Sequence, residues 1–311
     1  MMKKFIIKIC CFFLVVAVVD FFSGIVMRYM AEHARSGFTH KDNYICNQLK
    51  TDILLCGSSR CVRHYNPRII TDSLGGTCYN SGQDGNGIIL SYGRLLMIKE
   101  RYRPQMIICD INPEFDLLEG DDNHRYLTWL KSHYERTGIA DIFSQIDTTE
   151  KFKMLSNLYR YNSRIIELLS DYLIPVSKVR NDGFSPIDSK FDKTKIKRHS
   201  KIASQYKVDS VKIDFLNRFI DESKDCLLVF VVSPRWYGMD SRQLDYIVNI
   251  AKKRNIPFFN FSNNPKYVHN DKFFRDGNHL NAVGADEFTK DLVSFLKNLN
   301  NRNYAKTNVY N

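Results

Sequence analysis

Five short apolar runs after residue 50 constrain the fold of this chain most strongly. They occupy residues 52–56, 78–81, 105–111, 226–232 and 257–261. Helical spacing of apolar residues marks three segments between and after them, residues 87–102, 241–255 and 282–299. Strands that alternate with helices predict an α/β protein with a parallel sheet and helices on both faces. Such sheets bind ligands outside the C-terminal ends of their strands, so the residues that follow each run are the first candidates for function.

The first 30 residues predict a separate membrane segment. Lys3, Lys4 and Lys8 lie at the start of an apolar stretch. Residues 5–27 are long enough to cross a hydrocarbon layer of about 30 Å at a rise of 1.5 Å per residue. The lysines place the N-terminus in the cytoplasm by the positive-inside rule. We therefore expect a single-pass signal anchor in the cell (inner) membrane, with the rest of the chain in the extracytoplasmic or periplasmic space.

Two features of this segment leave alternatives open. The sequence "AEHA" places Glu32 where a cleavage site needs a small residue, which favours an uncleaved anchor over a cleaved signal peptide. Asp20 interrupts the apolar stretch, and a carboxylate deep in a bilayer is costly. We expect Asp20 to face a partner helix or to lie near the outer interface.

Composition divides the rest of the chain. Residues 31–50 are polar and predict a connector, residues 51–299 predict the main domain, and residues 300–311 predict a disordered tail. Within the main domain, residues 116–214 break the strand–helix alternation and predict a mostly helical insertion that shapes substrate access.

The chain carries a net charge of +11, much of it in residues 190–212. An exported domain has no nucleic acid to bind. We expect this basic stretch to form a solvated basic face, and the alternative is that it binds anionic lipid headgroups or an acidic glycan.

The eight cysteines do not predict a disulfide framework or a metal site. Two lie in the apolar N-terminal segment, and four begin or end strand-like runs, where cysteine acts as a small buried hydrophobe. Those four are Cys56, Cys78, Cys109 and Cys226. No spacing of cysteine and histidine is typical of zinc, so we predict no metal and no cofactor.

The first apolar run ends in two adjacent serines. In "DILLCGSSRCVRHYNP", residues 52–67, Gly57 is followed by Ser58 and Ser59. Serine is a favoured helix N-cap, and a capped turn is one interpretation of this junction. The other is that the strand presents a nucleophilic serine, which needs a histidine base and a carboxylate that orients the base.

One loop supplies both missing groups. In "FFRDGNHLNAVGADEF", Asp276 precedes His279 by three residues, between the last predicted strand and the last helix. In a loop, this spacing can place a carboxylate on imidazole Nδ1 and leave Nε2 for a serine. A plain turn is the alternative, since aspartate, glycine and asparagine are all turn formers.

Two further strand ends offer hydrogen-bond donors for an oxyanion. Gly82 follows the second run and can present its N–H without steric obstruction. Asn112 follows the third run and can present its side-chain amide. With the N–H of Ser59, these groups form the predicted oxyanion hole. The alternatives are a simple turn at Gly82 and a loop-capping side chain at Asn112.

The order of these residues resembles the SGNH/GDSL hydrolase superfamily across residues 52–299. The "GSSR" sequence resembles the first block of that family, Gly-Asp-Ser, with Ser58 in the aspartate position and Ser59 as the nucleophile. Gly82 resembles the glycine of the second block.

The later blocks match unequally. Asp276 and His279 resemble the final Asp-x-x-His block, and the following "LNAVGADEF" strengthens this match. The third block is normally Gly-x-Asn-Asp, whereas this chain has "DINP" around Asn112. The carry-over of the oxyanion role to Asn112 is correspondingly weaker.

The resemblance implies a three-layer α/β/α, flavodoxin-like domain that needs no metal. It implies a serine esterase or O-acyltransferase that acts on acyl esters of a cell-surface polysaccharide or lipid. Membrane-anchored relatives with a Gly-Ser/Thr-Ser first block include proteins of teichoic-acid D-alanylation and alginate O-acetylation, and a polytopic membrane acyltransferase is an expected partner. The alternative is an inactive module of the same fold that binds a polysaccharide or an assembly partner.

Overall fold

The computed structural model describes residues 2–176, 179–195 and 206–300. The strands are β1 (Ile53–Gly57), β2 (Cys78–Asn80), β3 (Met106–Asp110), β4 (Leu227–Val232) and β5 (Phe258–Asn260). The α-helices are α1 (Met2–Glu32), α2 (Gly37–Asn47), α3 (Ser59–His64), α4 (Pro67–Leu74), α5 (Ile88–Lys99), α6 (Pro113–Asp116), α7 (Ile139–Ile146), α8 (Glu150–Lys153), α9 (Asn157–Tyr161), α10 (Ile165–Leu173), α11 (Ser210–Glu222), α12 (Asp245–Arg254) and α13 (Ala282–Asn300).

The five strands form one parallel sheet in the order β2-β1-β3-β4-β5. This confirms the predicted five-stranded parallel sheet. The chain leaves β1 for β2 on one side and returns to β3 on the other, so the order reverses at β1 and β3. Gly57 pairs with Asp110 at this point. Parallel sheets bind ligands at such a reversal, and both central strands deliver candidate residues there.

Helices cover both faces of the sheet, and β1 shows why. Leu54 and Cys56 pack in the core on the side of α2, α5 and α11. Ile53 and Leu55 point to the opposite face and pack with residues of α4 and α13. Successive side chains of a strand alternate between faces, so a continuous apolar run is what a strand covered on both faces requires.

Helix α1 is long and apolar enough to span a membrane, which matches the prediction for residues 5–27. Its most apolar stretch is not buried within the protein. Its C-terminal part packs against α2, α9 and α10. An apolar helix with exposed side chains needs an apolar solvent, and a bilayer supplies one.

The predicted connector, residues 31–50, is instead part of the folded domain. Helix α2 packs against α5 and buries Ile45, Cys46 and Leu49 in the core. The segment is rich in polar residues, and two of its charged residues are nevertheless buried. Lys41 Nζ donates to two backbone carbonyls, and Asp42 Oδ1 lies 2.6 Å from a guanidinium nitrogen of Arg94.

The insertion, residues 116–214, is mostly helical in its described part: it contains α7 to α10, two 3₁₀ turns before α7, and one 3₁₀ turn between α9 and α10. It leaves and rejoins the domain at one place, where Leu118 and Val208 form an antiparallel bridge. Part of the basic stretch, residues 196–205, lies outside the described residues, as do residues 301–311 of the predicted disordered tail.

Candidate active site

The strand–helix junction after β1 gives its two serines different tasks. Gly57 has a φ of 143°, and a Cβ there would lie 2.8 Å from the carbonyl oxygen of Asp110, so the turn requires glycine. Ser58 is fully buried, and its Oγ accepts the N–H of Arg60 as the N-cap of α3. The cap is therefore Ser58, and the side chain of Ser59 is left for another contact.

Ser59 forms the start of a three-residue hydrogen-bonded relay. Its Oγ lies 3.0 Å from His279 Nε2. The other ring nitrogen, Nδ1, lies 3.1 Å from both carboxylate oxygens of Asp276. A carboxylate at Nδ1 requires the proton on that nitrogen, so Nε2 is the acceptor for the Ser59 hydroxyl. The structure thus brings together the three residues predicted as nucleophile, base and orienting acid.

Asp276 is held in its ionised form. Burial of the carboxyl group raises its pKa, but hydrogen bonds from the His279 ring and from the N–H groups of Asn278 and His279 outweigh burial. The net result is a pKa of Asp276 below its usual value. The ionised carboxylate can stabilise a positive charge on His279.

A second, buried histidine holds the loop that carries His279. His64 Nε2 accepts the N–H of Leu280, and His64 Nδ1 donates to Ser233 Oγ. Burial of the ring lowers the pKa of His64 well below its usual value, in keeping with the neutral imidazole that these contacts require. His64 was not predicted as a functional residue, because its contact with a backbone N–H has no signal in the sequence.

The side chain of Asn112 contacts Ser58, the residue that precedes the candidate nucleophile Ser59. Its Nδ2 is 3.4 Å from Ser58 Oγ, and its Oδ1 accepts from Arg235 at 3.0 Å. The arginine can only donate, so it fixes the amide with the NH₂ group towards the serines. This orientation suits a donor to an oxyanion near Ser59.

Gly82 is placed less simply. A Cβ at Gly82 would lie 2.7 Å from the backbone nitrogen of Val62, so only glycine fits against α3. Its N–H, however, donates to Asn80 Oδ1 at 3.1 Å. In this conformation the predicted donor is engaged within its own turn, and its oxyanion role stays a prediction.

Two buried arginines beside the site, Arg60 and Arg235, were not predicted from the sequence. Arg60 Nη2 donates to the carbonyl of Ile111 at 2.6 Å, and Arg235 contacts Asn112 as described. Burial and the charge of Arg60 lower the pKa of Arg235 to about 10. Arg235 follows β4, so the rule that selects strand ends could have found it. Arg60 lies at the same distance after β1, so the same rule could have found it too.

Ser59 and His279 open onto a cleft of about 750 Å³. Residues 186–189 of the insertion form one wall, and Arg63 and Arg275 lie at its edge. Arg63 is paired with Asp84, whereas Arg275 makes no ion pair with any residue that the structure describes. The volume falls within the range of about 300–1,000 Å³ that is typical of small-molecule sites.

Two other groups of side chains could in principle hold a metal ion, and neither lines this cleft. They are Asp42, Cys46 and His133, and His124, Asp147 and Glu150. In the first group the aspartate is paired with a buried arginine, and in the second the carboxylates contact a lysine. A bound cation would have to displace these charges, so the fold already neutralises both groups.

No protein-family model matches the sequence, and comparison with curated proteins also gives no match. The resemblance to the SGNH/GDSL superfamily therefore depends on the motifs and on where they lie in the fold.

Proposed function

We propose that this protein is a membrane-anchored, extracytoplasmic serine esterase or O-acyltransferase of the SGNH/GDSL type. One observation carries the proposal, the relay from Ser59 Oγ through His279 to Asp276. It lies at the C-terminal edge of a parallel sheet, where the strand order reverses and ligands bind. The proposed substrates are acyl esters of a cell-surface polysaccharide or lipid.

The relay supports acyl transfer in two steps. Ser59 Oγ attacks the ester carbonyl while His279 Nε2 takes its proton, and the tetrahedral intermediate collapses to an acyl-serine. His279 returns the proton to the departing alcohol. Water or a sugar hydroxyl then attacks the acyl-serine, with His279 again accepting and returning a proton, and the enzyme is restored as an esterase or as a transferase.

The oxyanion would lie between donors from three strand ends. Ser59 is the first residue of α3, and its N–H has no carbonyl partner within the helix. Asn112 presents its amide from the end of β3. Gly82 can join them only if its N–H turns from Asn80 when substrate binds. Each such donor typically contributes about 10²–10³ in rate.

The cleft lining holds two arginines, Arg63 and Arg275, and two aspartates, Asp84 and Asp188, with Asp84 paired to Arg63. Arg275 is a half-buried cation at the edge of the cleft, near His279 and without an acidic partner among the described residues. An acidic glycan or an anionic lipid headgroup, the substrates proposed here, could pair with Arg275. Helix α1 would keep the cleft close to a membrane, with its N-terminus in the cytoplasm as the lysines predict.

Substitution of Ser59 tests the proposal. The Ser59→Ala variant of the full chain in detergent should lose p-nitrophenyl acetate hydrolysis and labelling by a fluorophosphonate probe. Ser58→Ala is the matched control, because it removes the adjacent cap at a cost of about 1 kcal/mol in stability but keeps the nucleophile. Labelling of Ser59→Ala at the rate of the unaltered chain would remove Ser59 from the mechanism.

The engaged N–H of Gly82 favours a second candidate, a non-catalytic module that binds a polysaccharide or an assembly partner. The probe experiment separates the two functions. A folded, unaltered chain that takes up no fluorophosphonate would indicate binding alone.

A further inference from the structure

The insertion contacts the apolar helix α1 through hydrogen bonds to Asp20. The Asp20 carboxylate accepts hydrogen bonds from the hydroxyl of Ser156 and from the backbone N–H groups of Asn157 and Leu158, at 2.7–2.9 Å. These groups lie at the N-terminus of α9, so Asp20 satisfies donors that the helix leaves free. The contact explains how a carboxylate is tolerated in an apolar helix: it is fully hydrogen-bonded by the insertion.

Close packing extends this contact along α1. A Cβ at Gly24 would lie 2.4 Å from Asn157 Cγ, so glycine is what allows α9 to approach. Six residues further along α1, Met30 is buried with Tyr161 and Leu168 of the insertion. The insertion is therefore docked along α1 from Asp20 to Met30.

The docked part of the insertion exposes large apolar side chains. Outside α1, the described residues include eleven exposed large hydrophobic side chains, and seven of them lie between residues 152 and 176. The seven are Phe152, Leu155, Ile166, Leu169, Leu173, Ile174 and Val176. Leu155 is 78% exposed and Ile166 is 84% exposed. Concentration of such residues in one segment marks an interaction surface.

The length of α1 sets the depth of this surface. If the hydrocarbon layer begins at Phe5, about 20 residues at 1.5 Å each place its other boundary near Ile25. Asp20 then lies about 7 Å inside that boundary. The segment docked at Asp20 must lie at the same level, and Leu155 directly precedes the serine that contacts Asp20.

We propose that α8, α9 and α10 form a second membrane-contacting element that inserts into the outer leaflet beside α1. Its occupant is the lipid bilayer, because the exposed apolar face is continuous with the helix that would span it. The depth matches the 5–10 Å at which interfacial helices bury their apolar faces. This inference depends on the proposed membrane anchoring and is independent of the proposed catalysis.

Quenching of tryptophan fluorescence by brominated lipid tests the inference on the full chain in nanodiscs. Leu155→Trp and Ile166→Trp place reporters on the exposed face, in a mixture of lipids brominated near the carbonyl end and near the methyl end of the acyl chains, so that both the outer boundary and the bilayer centre are read. Leu14→Trp in α1 reports the hydrocarbon layer. Val283→Trp on α13, in the opposite helical layer and 53% exposed, reports solvent. The unaltered chain gives the background from its two tryptophans.

Quenching of both insertion reporters to about half the level of Leu14→Trp or more is expected, with Val283→Trp at background. If Leu14→Trp is quenched while both insertion reporters remain at background, water or a partner protein covers the face and the inference is wrong. If Leu14→Trp is itself unquenched, α1 does not span the bilayer and the inference fails with its premise. The Ser59 experiments decide catalysis separately.

Discussion

The strand-end site and the face between α1 and the insertion are built on different principles. At the site, residues far apart in sequence converge because parallel strands end at one edge, and Ser59 and His279 meet although 220 positions separate them. At the face between α1 and the insertion, Asp20 meets Ser156 across 136 positions with no sheet to bring them together. The first convergence follows from topology, whereas the second follows only from how the insertion packs.

Loss of the Asp276 carboxylate should have the largest effect of the changes considered, a fall in kcat, and it tests the site at the strand ends. Asp276→Asn removes the charge that holds the Nδ1–H tautomer of His279, and kcat should fall by about 10⁴-fold. Asp72→Asn is the matched control, because Asp72 is an exposed residue of α4, and this variant should keep the activity of the unaltered chain. Ester hydrolysis by purified full-length protein provides the measurement. Retention of activity in Asp276→Asn would show that the relay is only structural.

Loss of the Asp20 carboxylate tests the contact between α1 and the insertion. Asp20→Ala leaves the N–H groups at the start of α9 without an acceptor in an apolar setting, and each such group costs about 1–3 kcal/mol. We expect the insertion to undock locally, with faster proteolytic cleavage between residues 146 and 176 in detergent. Asp20→Asn keeps one acceptor oxygen and should give an intermediate rate. Equal cleavage rates in all three chains would contradict the docking role of Asp20.

A smaller effect, on stability and not on catalysis, is expected at His64, which holds the loop that carries His279. His64 has a folded pKa well below the unfolded value because it is buried, so below about pH 6.5 the unfolded chain binds a proton that the folded chain does not. Its contribution to the free energy of unfolding is present above that pH and is lost as the pH falls. His64→Gln should remove this part of the slope between pH 7 and pH 5 in urea unfolding. An unchanged slope would show that His64 does not titrate on unfolding.

Sequence patterns predicted the parts of the molecule that have a local signature. The continuous apolar runs marked five strands, because a sheet covered on both faces needs apolar residues throughout each strand. The apolar N-terminal helix was also marked by composition. The positions of Ser59, Asp276 and His279 after β1 and β5 followed from the same reasoning, and their catalytic role stays a prediction.

The remaining features have no local signature. Residues 31–50 looked like a connector because most of them are polar, and only the folded structure shows the partners that let Lys41 and Asp42 be buried. His64 accepts a hydrogen bond from the backbone N–H of Leu280. Almost every residue carries such a group, so no side chain in the sequence marks the contact. For Asp20, the sequence indicated that a partner was needed, but the identity of Ser156 and Asn157 depends on the packing of the insertion.

The grip of the insertion on Asp20 and Gly24 also fixes the height of the cleft. Helix α1 is held to the domain at these residues, so only the turns that precede Asp20 set how far the domain stands from the lysines at the N-terminus of α1. Each residue added to or removed from those turns would move the cleft by about 1.5 Å along the bilayer normal. Under the proposed anchoring and acyl chemistry, the anchor is a spacer of defined length that limits the reach of Ser59 to acyl groups at one distance from the membrane.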